Sequence, residues 1–248
     1  MNKIARYLAG AAIMAALVIF PAPPSAAFQL SPISEDFEPT GRGATKTFRV
    51  DNELDEQVAV TVEMAVRTMD VDGNETTKST EDFVVFPPQF MLGPKKVQVV
   101  RVQWVGDQAP KTELAYRIIA EQSPVRVARA TPGASISLAV RYIGSIYVVP
   151  RGVFPKIEVD SATAAAGPDG KPQLHLVLFN EGTSHAIIDE ASLKLTAGDK
   201  SVTLKGDAMK KVTGENMLAG QKRRFVMPWP EGVPPGPVQA QFAFVPLR

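Results

Sequence analysis

Short segments in which apolar side chains alternate with polar ones follow one another from residue 45 to the end of the chain, and they constrain the fold more than any other feature. A period of two is typical of β-strands, and the residues between the segments are typical of turns. The strands predicted in the first half are 45–52, 57–66, 83–92, 95–105, 113–122 and 135–150. Asp72-Gly73 is a strong hairpin signal that adds one more strand. About seven short strands within about 120 residues predict an immunoglobulin-like sandwich.

Prolines and glycines divide this pattern. Pro87-Pro88 interrupts the strand 83–92, which is typical of an edge strand or of a strand that changes sheet. Two prolines and a glycine within 150–160 indicate an elbow between domains. The alanine-rich stretch 162–172 predicts an exposed hairpin or loop, because Ala, Gly and Pro are poor strand formers.

A second group of strands follows the elbow, and no segment has a convincing helical period. These strands are predicted at 173–182, 185–196, 201–206, 222–229 and 238–247. The sequence therefore predicts an all-β protein of two domains, 28–150 and 151–248, each of them a β-sandwich.

The first 27 residues differ from the rest and predict an export signal. Lys3 and Arg6 precede an apolar run that ends near Phe20, and small residues at 25–27 fit a cleavage site. The run is shorter than the ~20 residues of a membrane-spanning helix, so a cleaved signal peptide is favoured over an anchor. The mature chain is expected to begin near Phe28, with no later membrane span.

Composition excludes several classes of function. The chain has no cysteine, so disulfides, thiol chemistry and cysteine metal sites are excluded, and stability must come from the core. The formal net charge is +1, and it becomes −1 once the two basic residues of the signal are removed. This balance argues against a nucleic-acid partner.

Catalytic motifs are absent from the sequence. His175 and His185 are the only histidines, and they lie in separate predicted strands without the ligand spacing of a metal site. The acidic pairs at 35–36 and 81–82 fall in polar loops, where solvated carboxylates are the ordinary case. Neither a phosphate-binding glycine loop nor a Gly-x-Ser-x-Gly motif is present. The sequence therefore favours a protein that is not an enzyme and needs no cofactor or metal.

The segment SISLAVRYIGSIYVVP, 135–150, is longer than most strands. Its first half alternates, whereas the part after Gly144 is almost continuously apolar and ends at Pro150. The apolar side chains that share one face of the first half are Ile136, Leu138, Val140 and Tyr142.

Several segments, taken in order, resemble the periplasmic chaperones of the chaperone–usher pilus pathway, the PapD-like proteins. The most specific is VVFPPQFMLGPKKVQVVRV, 84–102. The segments 114–124, 135–150 and 175–193 resemble the strand before the family's binding strand, the binding strand, and an Asn-containing turn of the second domain. The resemblance implies two immunoglobulin-like domains set in an L with a cleft between them, in a periplasmic protein without catalytic activity.

The resemblance also implies a mechanism, because pilus subunits of such systems lack their last strand and leave their cores open. A chaperone lends one long strand to the free edge of the subunit, and its apolar side chains fill the groove. Carried onto this sequence, the donor residues are Ile136, Leu138 and Val140, with Tyr142 as a further candidate. The alternative is that these side chains face the protein's own core.

The sequence departs from the best-known members of the family at the residues that hold the C-terminal carboxylate of the subunit. Ser145 stands where a lysine of the binding strand belongs, and Glu35 and Asp36 stand where an arginine of the first strand is expected. The chain instead resembles the divergent archaic branch, which carries a Tyr-Arg pair at the position of Tyr116-Arg117.

Arg117 is the predicted carboxylate anchor, because an arginine in an otherwise apolar strand needs an anionic partner or a route to the cleft. Arg141, in the next strand, is the second candidate. The alternative is that Arg117 forms a structural bridge with an internal Asp or Glu.

The leading hypothesis is a chaperone that binds pilus subunits and presents them to an outer-membrane usher. A secreted β-sandwich adhesin or surface protein is the alternative, and an exported hydrolytic or glycan-active enzyme is a third. Self-association of the empty protein is one way to protect an apolar strand.

Overall fold

The computed structural model of the protein describes residues 28–123 and 140–247. The predicted signal peptide, 1–27, and the predicted donor residues Ile136 and Leu138 lie outside the described residues.

Ten of the described strands form the first of two sandwiches. They are β1 (Gln29–Ser31), β2 (Ser34–Phe37), β3 (Thr45–Asp51), β4 (Val58–Met69), β5 (Glu75–Ser79), β6 (Phe83–Phe86), β7 (Gln89–Leu92), β8 (Val97–Trp104), β9 (Leu114–Ser123) and β10 (Arg141–Val148). One sheet has the order β1-β3-β8-β6, and the other has the order β2-β10-β9-β4-β5, with β7 also paired to β4. The described pairs of this sandwich are antiparallel except β2 and β10, which run parallel.

Seven described strands form the second sandwich. They are β11 (Ile157–Ala166), β12 (Pro172–Asn180), β13 (Ala186–Ala197), β14 (Lys200–Lys205), β15 (Asn216–Met217), β16 (Lys222–Pro228) and β17 (Gln239–Leu247). One sheet has the order β11-β12-β16, and the other is built on β13, which pairs with β14, β15 and β17. The described helices are two 3-10 turns, Gly41–Ala44 and Gly206–Met209, and neither could cross a membrane.

Each sandwich buries its own apolar core. Fully buried residues of the first core include Phe28, Phe48, Val100, Ile118 and Ile146. Those of the second include Leu174, Leu176, Leu178, Ile188 and Leu193. The two clusters share no residue, and the predicted fold of two immunoglobulin-like β-sandwiches is confirmed.

The two prolines at 87–88 mark a change of sheet, which is one of the two alternatives that the sequence predicted. The segment before them, β6, pairs with β8, whereas the segment after them, β7, pairs with β4 in the opposite sheet. Proline has no N–H to give to a ladder, so this position suits the crossing between sheets.

Of the hairpin and the loop predicted for the alanine-rich stretch, the structure has the hairpin, in which β11 continues to Ala166 and pairs with β12. Ala162 and Ala164 lie opposite Leu176 and Leu174 of β12, and the turn is confined to 167–171. Pairing with a strand whose leucines are fully buried outweighs the low strand propensity of alanine.

The two sandwiches contact each other beside the elbow. The amide of Glu113 donates to the carbonyl of Thr183 at 2.8 Å. The ring of Tyr147, at the end of β10, stacks on the ring of His185 with 3.7 Å between centroids. These contacts place β10 next to the second sandwich.

A second contact involves the tip of the β4–β5 hairpin. The amide of Arg224 in β16 donates to the carbonyl of Val71 at 2.6 Å. The buried Arg223 guanidinium donates to Met69 Sδ and to Glu215 Oε2. The first sandwich is therefore held to the second from two of its elements.

Candidate functional site

Strand β10 is paired along its whole length on one side but only over its second half on the other. Strand β9 pairs with it from Arg141 to Val148. On the opposite side, β2 pairs only with Ser145–Val148. Within the described residues, no strand covers Arg141–Gly144 on that side. This segment is called the open edge.

The backbone of the open edge points its hydrogen-bonding groups outward. The amide of Ser145 donates to the carbonyl of Ile33 on the β2 side at 2.8 Å. Alternate residues of a strand direct their N–H and C=O to the same side, so those of Arg141 and Ile143 also face the β2 side, beyond the start of β2. A row of this kind, which no strand of the described residues pairs with, is a template for another strand.

Gly144 allows β2 to begin where it does. A Cβ at this position would lie 2.9 Å from the carbonyl oxygen of Ile33 and 2.7 Å from Cγ2 of Ile118. Any larger residue would therefore push β2 or the core away from β10. The end of the open edge is fixed by this close approach.

One face of β10 is apolar and becomes less buried towards the open edge. Ile146 and Val148 are fully buried, whereas Tyr142 and Val140 are half-buried at the margin of the first core. The ring of Tyr142 contacts that of Phe28 with 5.0 Å between centroids. Both described members of the predicted donor set thus contact the protein's own core.

The other face of the open edge is accessible to solvent. Ile143 is 45% exposed, and Arg141 is exposed and forms an ion pair with Glu121 at 3.6 Å. Exposed ion pairs of this kind contribute little to stability. Arg141, the second predicted anchor, is therefore free to exchange its partner.

Arg117, the first predicted anchor, lies in the middle of β9 and is fully engaged. Its Nε and Nη2 donate to the two carboxylate oxygens of Glu75, at 2.7 and 2.5 Å. Its Nη1 donates to Ser145 Oγ at 2.5 Å. The structural bridge that the sequence left open is present, and the same guanidinium reaches the residue that replaces the family's lysine.

Glu75 also holds a second arginine, Arg67 of β4, whose Nε donates to it at 2.9 Å. The hydrogen bond from Arg117, followed by the charges of both guanidinium groups, holds the pKa of Glu75 below its ordinary value, although partial burial opposes this. Arg67 in turn donates to the hydroxyl of Tyr147 at 3.2 Å, and so does Asn216 of the second sandwich at 2.7 Å. The cluster therefore connects β10 to both sandwiches.

A cleft of about 550 Å³ lies between the sandwiches beside this cluster. Residues of β2, β10 and β13, with Ile33 just before β2, are among those that line it: Ile33, Asp36, Ile143, Ser145, Tyr147 and Ile187. The cleft therefore joins the open edge to the hydroxyl of Ser145.

The end of the cleft near the elbow carries negative charge. The buried Glu113 carboxylate accepts from the ring and the backbone N–H of His185, at 2.6 and 3.0 Å. Partial burial raises the pKa of Asp36, although the charge of His185 opposes this shift. Glu35 accepts from Lys46 at 2.6 Å. Among the described residues, no group of three or more acidic or histidine side chains could hold a metal ion.

Sequence reasoning missed three members of the site: Glu75, Arg67 and Tyr147. Glu75 lies in a polar hairpin, where the sequence gives no sign of burial. Arg67 could have been predicted to need an acidic partner, because it is a charged residue within β4, whose other side chains are mostly apolar.

The N-terminal part of the chain matches a known family. Residues 40–153 match the family described as pili and flagellar-assembly chaperone, PapD N-terminal domain. Residues 40–153 are therefore similar to a PapD N-terminal domain. This PapD-like domain includes strands β3 to β10, and hence both the open edge and Arg117.

Solved structures of chaperones and of chaperone complexes share the fold of most of the chain at low identity. A chain of a chaperone–tip adhesin complex of CFA/I fimbriae biogenesis is 16% identical, with a TM-score of 0.54 over 80% of this chain and 88% of that one. A chain of the CsuC–CsuE complex of the archaic Csu pili of Acinetobacter baumannii is 14% identical, with a TM-score of 0.53 over 81% and 90%.

The class 5 fimbriae chaperone CfaA is 17% identical to this chain, with a TM-score of 0.53 over 89% of this chain and all of that one. No curated protein matches the sequence. The likenesses show a shared two-sandwich fold, and membership of the archaic branch stays a prediction.

Proposed function

We propose that this protein is a periplasmic chaperone that binds pilus subunits by lending them the edge of β10. The observation that carries the proposal is the open edge, Arg141–Gly144, in a domain of the PapD family. A strand of the partner would pair with the outward N–H and C=O groups of Arg141 and Ile143. The elbow near Pro150 would separate this domain from the second one.

The apolar face of β10, continued along the sequence to Val140, Leu138 and Ile136, would supply the side chains for the partner's groove. In the sequence, Ile136 and Leu138 alternate in phase with Val140 and Tyr142, whose burial is already incomplete. Each fully buried Leu, Ile or Val contributes about 1.5–3 kcal/mol. Leu138 and Ile136 carry most of this contribution in the proposal, because Val140 and Tyr142 already contact their own core.

Arg117 is the proposed anchor for the C-terminal carboxylate of the subunit. The support is that Arg117 binds a carboxylate, that of Glu75, through two hydrogen bonds and also contacts Ser145, which lines the cleft. Guanidinium groups bind carboxylates in this forked geometry and thereby fix register. Delivery of the bound subunit to an outer-membrane usher completes the proposed role, after export by a signal peptide cleaved near residue 27.

Co-expression with subunits encoded near this gene tests the donor strand. Leu138→Asp is expected to abolish recovery of soluble complex, because a charge would enter an apolar groove. Val84→Asp is the matched control, since Val84 is 53% exposed on a strand of the opposite sheet. Equal recovery of the subunit with Leu138→Asp and with the control would contradict the proposal, provided that thermal unfolding shows both variants folded.

A further inference from the structure

Arg117 already binds a carboxylate of its own chain, that of Glu75. Both oxygens of Glu75 accept from Arg117, and Oε2 also accepts from Arg67. The side chain of Glu75 is 26% exposed, whereas those of Arg117 and Arg67 are 15% and 5% exposed. The arginines are thus the fixed part of the cluster, and the carboxylate is its most accessible member.

The cluster is not electrically balanced, because two guanidinium groups share one carboxylate. No other Asp or Glu of the described residues forms an ion pair with Arg67 or Arg117 within 4 Å. A partly buried positive charge without its own counter-ion favours the entry of a second anion. Asp36 and Glu113 oppose such entry from the elbow end of the cleft, although Glu113 is paired with His185.

Arg117 connects two strands of its own sheet that lie on either side of β9. On one side it holds Glu75 of β5, and on the other it donates to Ser145 Oγ of β10, which lines the cleft. Because Ser145 Oγ accepts from Arg117, the hydroxyl keeps its own proton to donate. An anion that enters from the open edge therefore meets Ser145 first and the Arg117 guanidinium behind it.

We propose that Glu75 is a resident competitor that occupies Arg117 in the empty protein and that the C-terminal carboxylate of a bound partner displaces it. This inference rests on the proposed function, because it states which carboxylate Arg117 binds before the partner does. Without a partner, the carboxylate of Glu75 compensates the charge of Arg117 and holds the guanidinium group in position. On binding, the partner's carboxylate takes over hydrogen bonds of Arg117, and Glu75 keeps that of Arg67. Glu75 therefore lowers the affinity for the partner while it stabilises the free protein.

The test compares Glu75→Gln with Glu121→Gln in the full-length mature protein, using a subunit that co-purifies with the wild type. Glu121→Gln is the matched control because it loosens Arg141, the other candidate anchor, by the same chemical change. We expect Glu75→Gln to tighten binding about tenfold and Glu121→Gln to leave it unchanged, as measured by the dissociation constant. The gain should vanish for a subunit extended by two residues, which moves its carboxylate.

Other binding results would contradict either the competitor role of Glu75 or the anchor role of Arg117. If Glu75→Gln binds no more tightly than the wild type while Arg117→Ala binds more weakly, the competitor role is wrong and the anchor survives. If Arg117→Ala binds normally, the anchor itself is wrong. A gain with Glu121→Gln alone would overturn the inference in favour of Arg141.

A measurement on the wild-type protein tests the displacement without relying on variants that must fold correctly. The pKa of Glu75, followed by carbon NMR of its carboxylate, should rise on partner binding because the hydrogen bond from Arg117 is lost. A pKa of Glu75 that is the same in the free and bound protein would overturn the displacement.

Discussion

At the scale of single residues, the molecule depends on how a few buried charges are compensated. Arg117 could be recognised from the sequence as a charge that requires a partner, because it interrupts an apolar strand. Its partner could not, since Glu75 lies 42 positions away in a hairpin of uniformly polar residues. Such a pairing depends on strand order, which the spacing of strands does not specify.

Glu75 should make stability depend on pH. The pKa of Glu75 is lower in the folded protein than its ordinary value of 4.5. Its contribution to the free energy of unfolding is therefore present above pH 4.5 and is lost as the pH falls through the lower folded pKa. Glu75→Gln should therefore lower the free energy of unfolding at pH 7 by about 0.5–1.5 kcal/mol, because the side chain is partly exposed and the amide keeps one accepting oxygen. Urea unfolding should show this difference shrinking as the pH approaches 3. A difference that stays constant down to that pH would contradict the assignment.

At the scale of elements, β10 combines two environments in one strand. The change after Gly144 was visible in the sequence, where alternation gives way to a continuous apolar run. The structure gives the reason, because β2 pairs only with this second half. The parallel pairing of β2 was not predictable, since its residues, Ser-Glu-Asp-Phe, carry little strand signal.

Gly144→Ala tests the close approach of β2. The added methyl group would lie within 3 Å of Ile33 O and of Ile118 Cγ2, so we expect a loss of about 1–3 kcal/mol of stability from overpacking. Gly93→Ala is the control, because its nearest contact would be a flexible lysine side chain at 3.5 Å. Urea unfolding should separate the two variants, and equal stability would contradict the described packing.

At the scale of the whole molecule, the two sandwiches and their cores follow from the pattern of strands and from the elbow. The contacts between them do not, because they join residues that are distant in the sequence and polar in character. Tyr147 with His185, and the β4–β5 hairpin with Arg223, are examples. Tyr147 and His185 line the cleft next to the open edge, and both contacts hold the second sandwich beside the first.

Hydrogen exchange of the backbone amides of β10 tests the central claim, that the open edge pairs with a strand of the partner. In the free protein the amides of Arg141 and Ile143 face outward, whereas that of Tyr142 faces β9. Binding of a subunit should slow exchange at Arg141 and Ile143 by about tenfold or more and change Tyr142 much less. Unchanged exchange at Arg141 and Ile143 in a complex that is otherwise intact would contradict strand donation.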